Sequence, residues 1–215
     1  MEAVATPSAR SARGEKNGPL GLRDLIREDA QAAFERDPSA ESVSDITRFS
    51  VGFRIVRAYR RQHWLYEHGH RTLALWLAMR TRVRYGADIH PAAQIGRRFT
   101  IDHGIGVVIG GTAIIGDDCL IYQGATLGMT GKHGGKRHPT LGSGVMVGAG
   151  SILLGAITVG DGVRVGAGSV VVDDVPANTT VVGNPARVVR TRECPLFDDF
   201  VCVTDDFGKS WVLEK

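Results

Sequence analysis

Between Ile89 and Val171 an aliphatic side chain returns at every sixth position, apart from two interruptions. The series runs Ile89, Ile95, Ile101, then Ile109, Ile115, Ile121, Leu127, then Leu141, Val147, Leu153, Val159, Val165 and Val171. Eight of these residues are followed directly by glycine: Gly96, Gly110, Gly116, Gly128, Gly142, Gly148, Gly160 and Gly166. A period of six matches neither the 3.6-residue repeat of an amphipathic helix nor the alternation of a plain strand. It is the pattern of a solenoid in which each short strand turns a corner into the next. Small residues at the corners let the backbone turn and the coils stack closely. The interruptions, at His103–Val107 and Met129–Thr140, hold most of the reactive side chains.

With three hexapeptides per coil, about Asp88–Val182 gives about five coils of a triangular prism, each touching only its neighbours. The expected fold is a left-handed parallel β-helix with an N-terminal α-helical cap. Residues 1–19 are rich in Ala, Ser, Gly and Arg and are expected to be disordered. A helical domain is expected over 20–86, the β-helix over 87–189 and a tail without clear periodicity over 190–215. Helical spacing covers Gly21–Asp37 with Leu22, Leu25, Ile26, Ala33 and Phe34, and Pro38 ends that segment. A second segment, about Ser44–His68, carries Phe49, Phe53, Val56 and Trp64. A third, about Thr72–Tyr85, carries Leu73, Trp76 and Leu77. This cap is too small to stand without docking on the solenoid or on a neighbouring chain.

The net charge of +3 and the pI near 8.9 suit an anionic small molecule but lack the dense basic stripe with interleaved aromatics that nucleic acid requires. Cys119, Cys194 and Cys202 have no metal-ligand spacing and read as reduced thiols. Neither a secretory signal nor an apolar run long enough to cross a bilayer is visible, so the expected location is cytoplasmic, with no membrane partner.

Three short clusters carry chemistry: Asp88-Ile89-His90-Pro91, Asp102-His103-Gly104 and Lys136-Arg137-His138-Pro139. A carboxylate bonded to one imidazole nitrogen fixes the tautomer and leaves the other nitrogen as a general base. Asp88 and His103, a little under one coil apart, suit that pairing; they also read as unrelated polar residues at corners. Arg137 reads either as a solvated surface arginine or as a fork for a carboxylate or phosphate. Gly104-Ile105-Gly106 lacks the third glycine of a dinucleotide fingerprint, and Gly131-Lys132 fails the phosphate-loop pattern on both sides. His103, His133 and His138 offer a zinc alternative of the gamma-class carbonic anhydrase kind, although His133 lies away from a repeat corner. The preferred reading contains no metal.

These clusters, with Thr126-Leu127-Gly128 and Gly131-Lys132, closely resemble those of bacterial serine O-acetyltransferases over about Asp29–Val189. The resemblance implies an acyltransferase that moves acetyl from acetyl-CoA to the hydroxyl of L-serine for cysteine biosynthesis. Acetyl-CoA is then a co-substrate, with no permanently bound cofactor. It implies His103 as general base and Asp88 as its partner, Asp37 and Asp102 on the serine amino group, and Arg137 and His138 on its carboxylate. Gly128, Met129, Ala149, Arg164 and Ala167 would lie along coenzyme A, with oxyanion donors among the backbone N–H groups near Thr126–Gly128. A homotrimer with sites at subunit interfaces is implied, with a dimer of trimers as the alternative. Cysteine inhibition at the serine site is a further implication. The chain ends Val212-Leu213-Glu214-Lys215 in place of the family's docking isoleucine, so no cysteine synthase complex is expected. Two positions depart from the family pattern: Gly111 stands for a glutamate and Met129 for a glycine. They leave open an O-acyltransferase with a changed hydroxy amino acid acceptor or a changed acyl donor.

Overall fold

The computed structural model describes residues 21–131, 134–191, 200–204 and 210–214, the last two stretches by their backbone alone. Four helices come first: α1 (Leu22–Arg36), α2 (Val43–Phe49), α3 (Val51–Glu67) and α4 (Arg71–Tyr85). The single helix expected over 44–68 is two. Ser50 divides them, because its N–H closes α2 on the Ile46 carbonyl (3.1 Å) while its hydroxyl accepts from the Phe53 N–H (3.2 Å) and so caps α3.

Thirteen short strands follow, each holding one member of the six-residue series. The first face stacks β1 (Asp88–Ile89), β4 (Val108–Ile109), β7 (Thr126–Gly128), β10 (Ile152–Leu154) and β13 (Val170–Val171). The second stacks β2 (Gln94–Ile95), β5 (Ile114–Ile115), β8 (Thr140–Leu141) and β11 (Thr158–Val159). The third stacks β3 (Thr100–Ile101), β6 (Leu120–Ile121), β9 (Met146–Val147) and β12 (Arg164–Val165), and continues into β14 (Thr179–Gly183) and antiparallel β15 (Ala186–Thr191). All pairings between coils are parallel, in a left-handed β-helix. All thirteen series residues are buried. A second interior column, two residues earlier in each repeat, is also buried; it includes Ala87, Ala93, Phe99, Val107, Ala113, Cys119 and Ala125. Neither interruption disturbs the stacking, since Ile89 pairs with Ile109, Ile109 with Leu127 and Ile115 with Leu141. The extra residues leave the prism at its corners. Beyond the solenoid, β16 (Phe200–Thr204) and β17 (Ser210–Glu214) pair antiparallel in the tail, where the sequence shows no clear periodicity. The segment 1–19 lies outside the described residues.

The helices close the N-terminal end of the prism. A Cβ on Gly52 would meet the Ile101 carbonyl oxygen at 1.8 Å, so only glycine lets α3 lie this close to β3. Buried Arg60 forks onto buried Asp29 of α1 (2.8 and 3.0 Å) and also donates to the Ile95 and Gly96 carbonyls (2.6 and 2.5 Å). Those carbonyls belong to the terminal coil, and the guanidinium satisfies them where no further coil does. Arg36 ties the end of α1 to Thr100 and Asp118, which fixes the start of the next segment, Asp37, against the solenoid. Among the described residues no helix is long and apolar enough to cross a membrane.

Candidate active site

The corners between the third and first faces follow β3, β6, β9 and β12. Asp102 and His103 occupy the first of these, facing the turn after α1. With Asp37, Ser39, Ile46 and Tyr122 they line a cavity of about 310 Å³. The His103 side chain is 71% exposed, and its Nε2 lies 3.8 Å from Asp102 Oδ1. Its backbone has φ 58°, in the left-handed region that few residues other than glycine adopt. Such conformations persist where the surrounding structure imposes them, often at functional sites. Asp37 Oδ1 accepts from the Ser39 N–H (2.9 Å) and hydroxyl (2.5 Å), which holds its carboxyl below the usual range, with nearby His103 adding to the effect. Two carboxylates and one imidazole thus face a small cavity that favours an ammonium group.

The corners between the first and second faces follow β1, β4, β7 and β10. Here the second interruption folds back so that Arg137 and His138 return beside the β4 corner. Thr112 organises them: its Oγ accepts from the Arg137 and His138 N–H groups (3.1 and 3.2 Å) and contacts His138 Nδ1 (2.8 Å). The Thr112 N–H also donates to that nitrogen (3.3 Å), which leaves the His138 proton on Nε2. His138 is buried, and its ring fills the space above Gly110, where a Cβ would meet Nε2 at 1.9 Å. Burial, then Arg137, Lys136 and His90, push its pKa down and keep it neutral. Lys136 donates to the Thr112 and Pro139 carbonyls (2.7 and 3.3 Å) and pins the loop. A fork and a neutral N–H donor are therefore presented together, as an anionic group requires.

The two groups flank the first face. Crossing it takes about five residues of extended chain, or about 15 Å, so one chain does not close them around a small substrate. Asp88 lies on the outer side of that face, and its carboxylate pairs with Arg82 of α4 (3.1 Å). Within a chain it has no hydrogen bond to His103. The residues expected along coenzyme A divide in the same way. Gly128 and exposed Met129 lie at the first-to-second corner of β7. Ala149 and Ala167 occupy third-to-first corners, and Arg164 lies on the third face between Met146 and Thr180. Of the expected oxyanion donors, the Thr126 N–H is committed to the Ser151 carbonyl (2.8 Å). His103 and His138 lie on different edges and His133 lies outside the described residues; no group of three metal-ligating side chains occurs among those described. Cys119 is interior, its thiol pushed up to about 11 by burial. Cys194 and the side chain of Cys202 lie outside the description. A larger apolar trough of about 630 Å³ between α3 and α4 contains none of the expected site residues.

Sequence reasoning missed Thr112 and Ser39, which hold the expected residues in place, and quoted Lys136 in a cluster without a role. His90, quoted in a cluster but given no role, lies beside them, and its position in Asp88-Ile89-His90-Pro91 was the available signal.

A triangular parallel solenoid whose reactive side chains gather at two corners defines the hexapeptide-repeat transferases. The bacterial transferase hexapeptide family (six repeats) matches residues 138–173. A serine acetyltransferase of Synechococcus elongatus is 51% identical over 161 residues, covering 75% of this chain and 66% of that protein. The crystal structure of Neisseria gonorrhoeae serine acetyltransferase in complex with serine superposes with a TM-score of 0.76 at 43% identity, over 79% of this chain and 69% of that one. That of the Brucella abortus enzyme in complex with coenzyme A gives 0.77 at 41%, over 80% and 69%. The chain belongs to the serine acetyltransferase family. It spans less than two thirds of the length of its curated relatives, 66% for the S. elongatus protein and 59% for that of Escherichia coli.

Proposed function

We propose that this protein is a serine O-acetyltransferase, transferring acetyl from acetyl-CoA to the hydroxyl of L-serine at sites formed between adjacent copies of the chain. The observation that carries the reading is the division of complementary groups between two edges. Carboxylates and the exposed imidazole of His103 lie on one edge, and Arg137 with His138 on the other. A zwitterionic amino acid needs both, and a cyclic trimer sets one edge of each copy against the other edge of its neighbour. Complexes of relatives with serine and with coenzyme A support the substrates.

In this mechanism Asp37 and Asp102 receive the ammonium of serine and Arg137 and His138 its carboxylate. His103 takes the hydroxyl proton as the oxygen attacks the thioester carbon. The tetrahedral intermediate carries its charge on the former carbonyl oxygen, where fixed N–H donors stabilise it. Its collapse breaks the carbon–sulfur bond, and the proton on His103 goes to the departing thiolate. The transfer is direct and uses no covalent acyl-enzyme. Asp88 acts on His103 in the assembled site, with the Asp88–Arg82 pair of the single chain opening or bridging to it. Gly128, Met129, Ala149, Arg164 and Ala167 border the coenzyme. A homotrimer is the minimal unit, and pairing of two trimers is compatible with the same sites. A zinc hydratase is not favoured, because the relatives are serine acetyltransferases.

The test is subunit mixing. His103→Ala and Arg137→Ala, each inactive alone, are co-expressed and the mixed oligomer is assayed. Random assortment in a ring gives one intact site in four, so on the order of a quarter of wild-type activity returns. A mixture no more active than either variant contradicts sites shared between copies.

A further inference from the structure

His90 opens the first corner of the solenoid, and three residues of α3 hold that corner. Tyr59 donates to the Ala93 carbonyl (2.6 Å), His63 Nδ1 meets the Pro91 carbonyl (2.8 Å), and Tyr66 places its ring edge-on to His90 with centroids 6.1 Å apart. These α3 residues recur at helical spacing, so one face of the helix clasps the whole turn. The His90 Nδ1 accepts from the Ala92 N–H (3.0 Å), which leaves the proton of the neutral ring on Nε2. Among the described residues Nε2–H has no acceptor. Burial, with Arg71 and Arg137 nearby, keeps the imidazole neutral although Asp88 opposes them. The ring occupies the space in front of Gly111, where a Cβ would lie 2.9 Å from Nδ1. A side chain at 111 would displace it, and glycine there leaves the ring in place with no carboxylate competing for its proton.

We propose that His90 is a further substrate-binding residue, whose Nε2–H donates to the carboxylate of the acceptor amino acid beside Arg137 and His138. The inference rests on the acetyltransferase reading above and adds a third donor to the anion-binding edge. Arg137 supplies charge, while His90 and His138 supply two neutral donors on fixed tautomers. The corner clasped by α3 sets the aim of the first, and Thr112 sets that of the second. Residue 111 then tunes the site indirectly, through the room it gives to His90.

The experiment compares His90→Leu and His90→Gln with wild type, using L-serine and L-serinamide, which lacks the anionic carboxylate. A hydrogen bond to a charged group predicts that His90→Leu raises KM for serine about 10- to 100-fold with kcat nearly unchanged. His90→Gln, which retains an N–H donor, recovers part of that loss. For L-serinamide, whose neutral carbonyl accepts more weakly, the rise in KM in His90→Leu is several-fold smaller. An unchanged KM for serine in His90→Leu overturns the proposal, as does an equal rise for both acceptors, which marks a packing role. Serine turnover by the wild-type protein in the same assay separates failure of this inference from failure of the acetyltransferase reading.

Discussion

His103 follows Ile101-Asp102 at the first break in the six-residue period, and the break is what frees it from the stacking that orders the other corners. The left-handed backbone at this residue turns the imidazole outward, where it stands 71% exposed beside Asp102. General acid–base catalysis by a positioned side chain contributes about 10²- to 10⁴-fold. His103→Ala is therefore expected to lower kcat by that range in a thiol-release assay while KM for serine changes little. A loss below tenfold contradicts the role. The sequence displayed His103, Arg137 and His138 because breaks in a strict period are visible. It did not display Thr112, which binds Arg137 and His138 across 25 and 26 residues, because nothing local marks a hydroxyl as the hub of a distant loop. The partner of Asp88 was equally hidden. Arg82 reaches it from α4, so that pair depends on how the cap docks rather than on the repeat.

At the scale of elements, the six-residue period located every strand of the solenoid from β1 to β13, since one buried aliphatic per turn is the minimum a coil needs to cohere. The second interior column was less legible, for its members are mixed: Ala93, Phe99, Cys119 and Ser151 fill it equally. Helix boundaries were readable except at Ser50, whose double capping role needs knowledge of both flanking turns. The cap holds to the prism through Asp29 and Arg60, whose bidentate pair is buried and also satisfies two carbonyls of the first coil. Removing one partner leaves the other charge buried and unpaired, at a cost of about 3–5 kcal/mol. Asp29→Ala is expected to lower unfolding free energy by that amount in urea denaturation; a change under about 1 kcal/mol contradicts a buried, structural pair.

Across the whole molecule, the helical cap and the two loop excursions place the candidate site residues on two edges of one prism. In the proposed assembly a single chain carries two complementary halves. That division explains why Asp88 and His103, close in sequence, do not meet within a chain. Family membership came through in the three clusters and their spacing. The acceptor was less legible, because Gly111 and Met129 both lie on the anion-binding edge. The structure fills the first gap with His90 and leaves Met129 exposed at the corner after β7. These substitutions leave Asp37, Asp102 and His103 in place around the small cavity and Arg137 and His138 in place on the opposite edge.

The decisive measurement is thiol release from acetyl-CoA with L-serine, L-homoserine and L-threonine side by side. Discrimination of one added methylene in a pocket amounts to about 10- to 200-fold. A serine O-acetyltransferase is expected to show kcat/KM for L-serine at least tenfold above that for either analogue. Equal or greater turnover of homoserine or threonine, or no thiol release with serine, contradicts it.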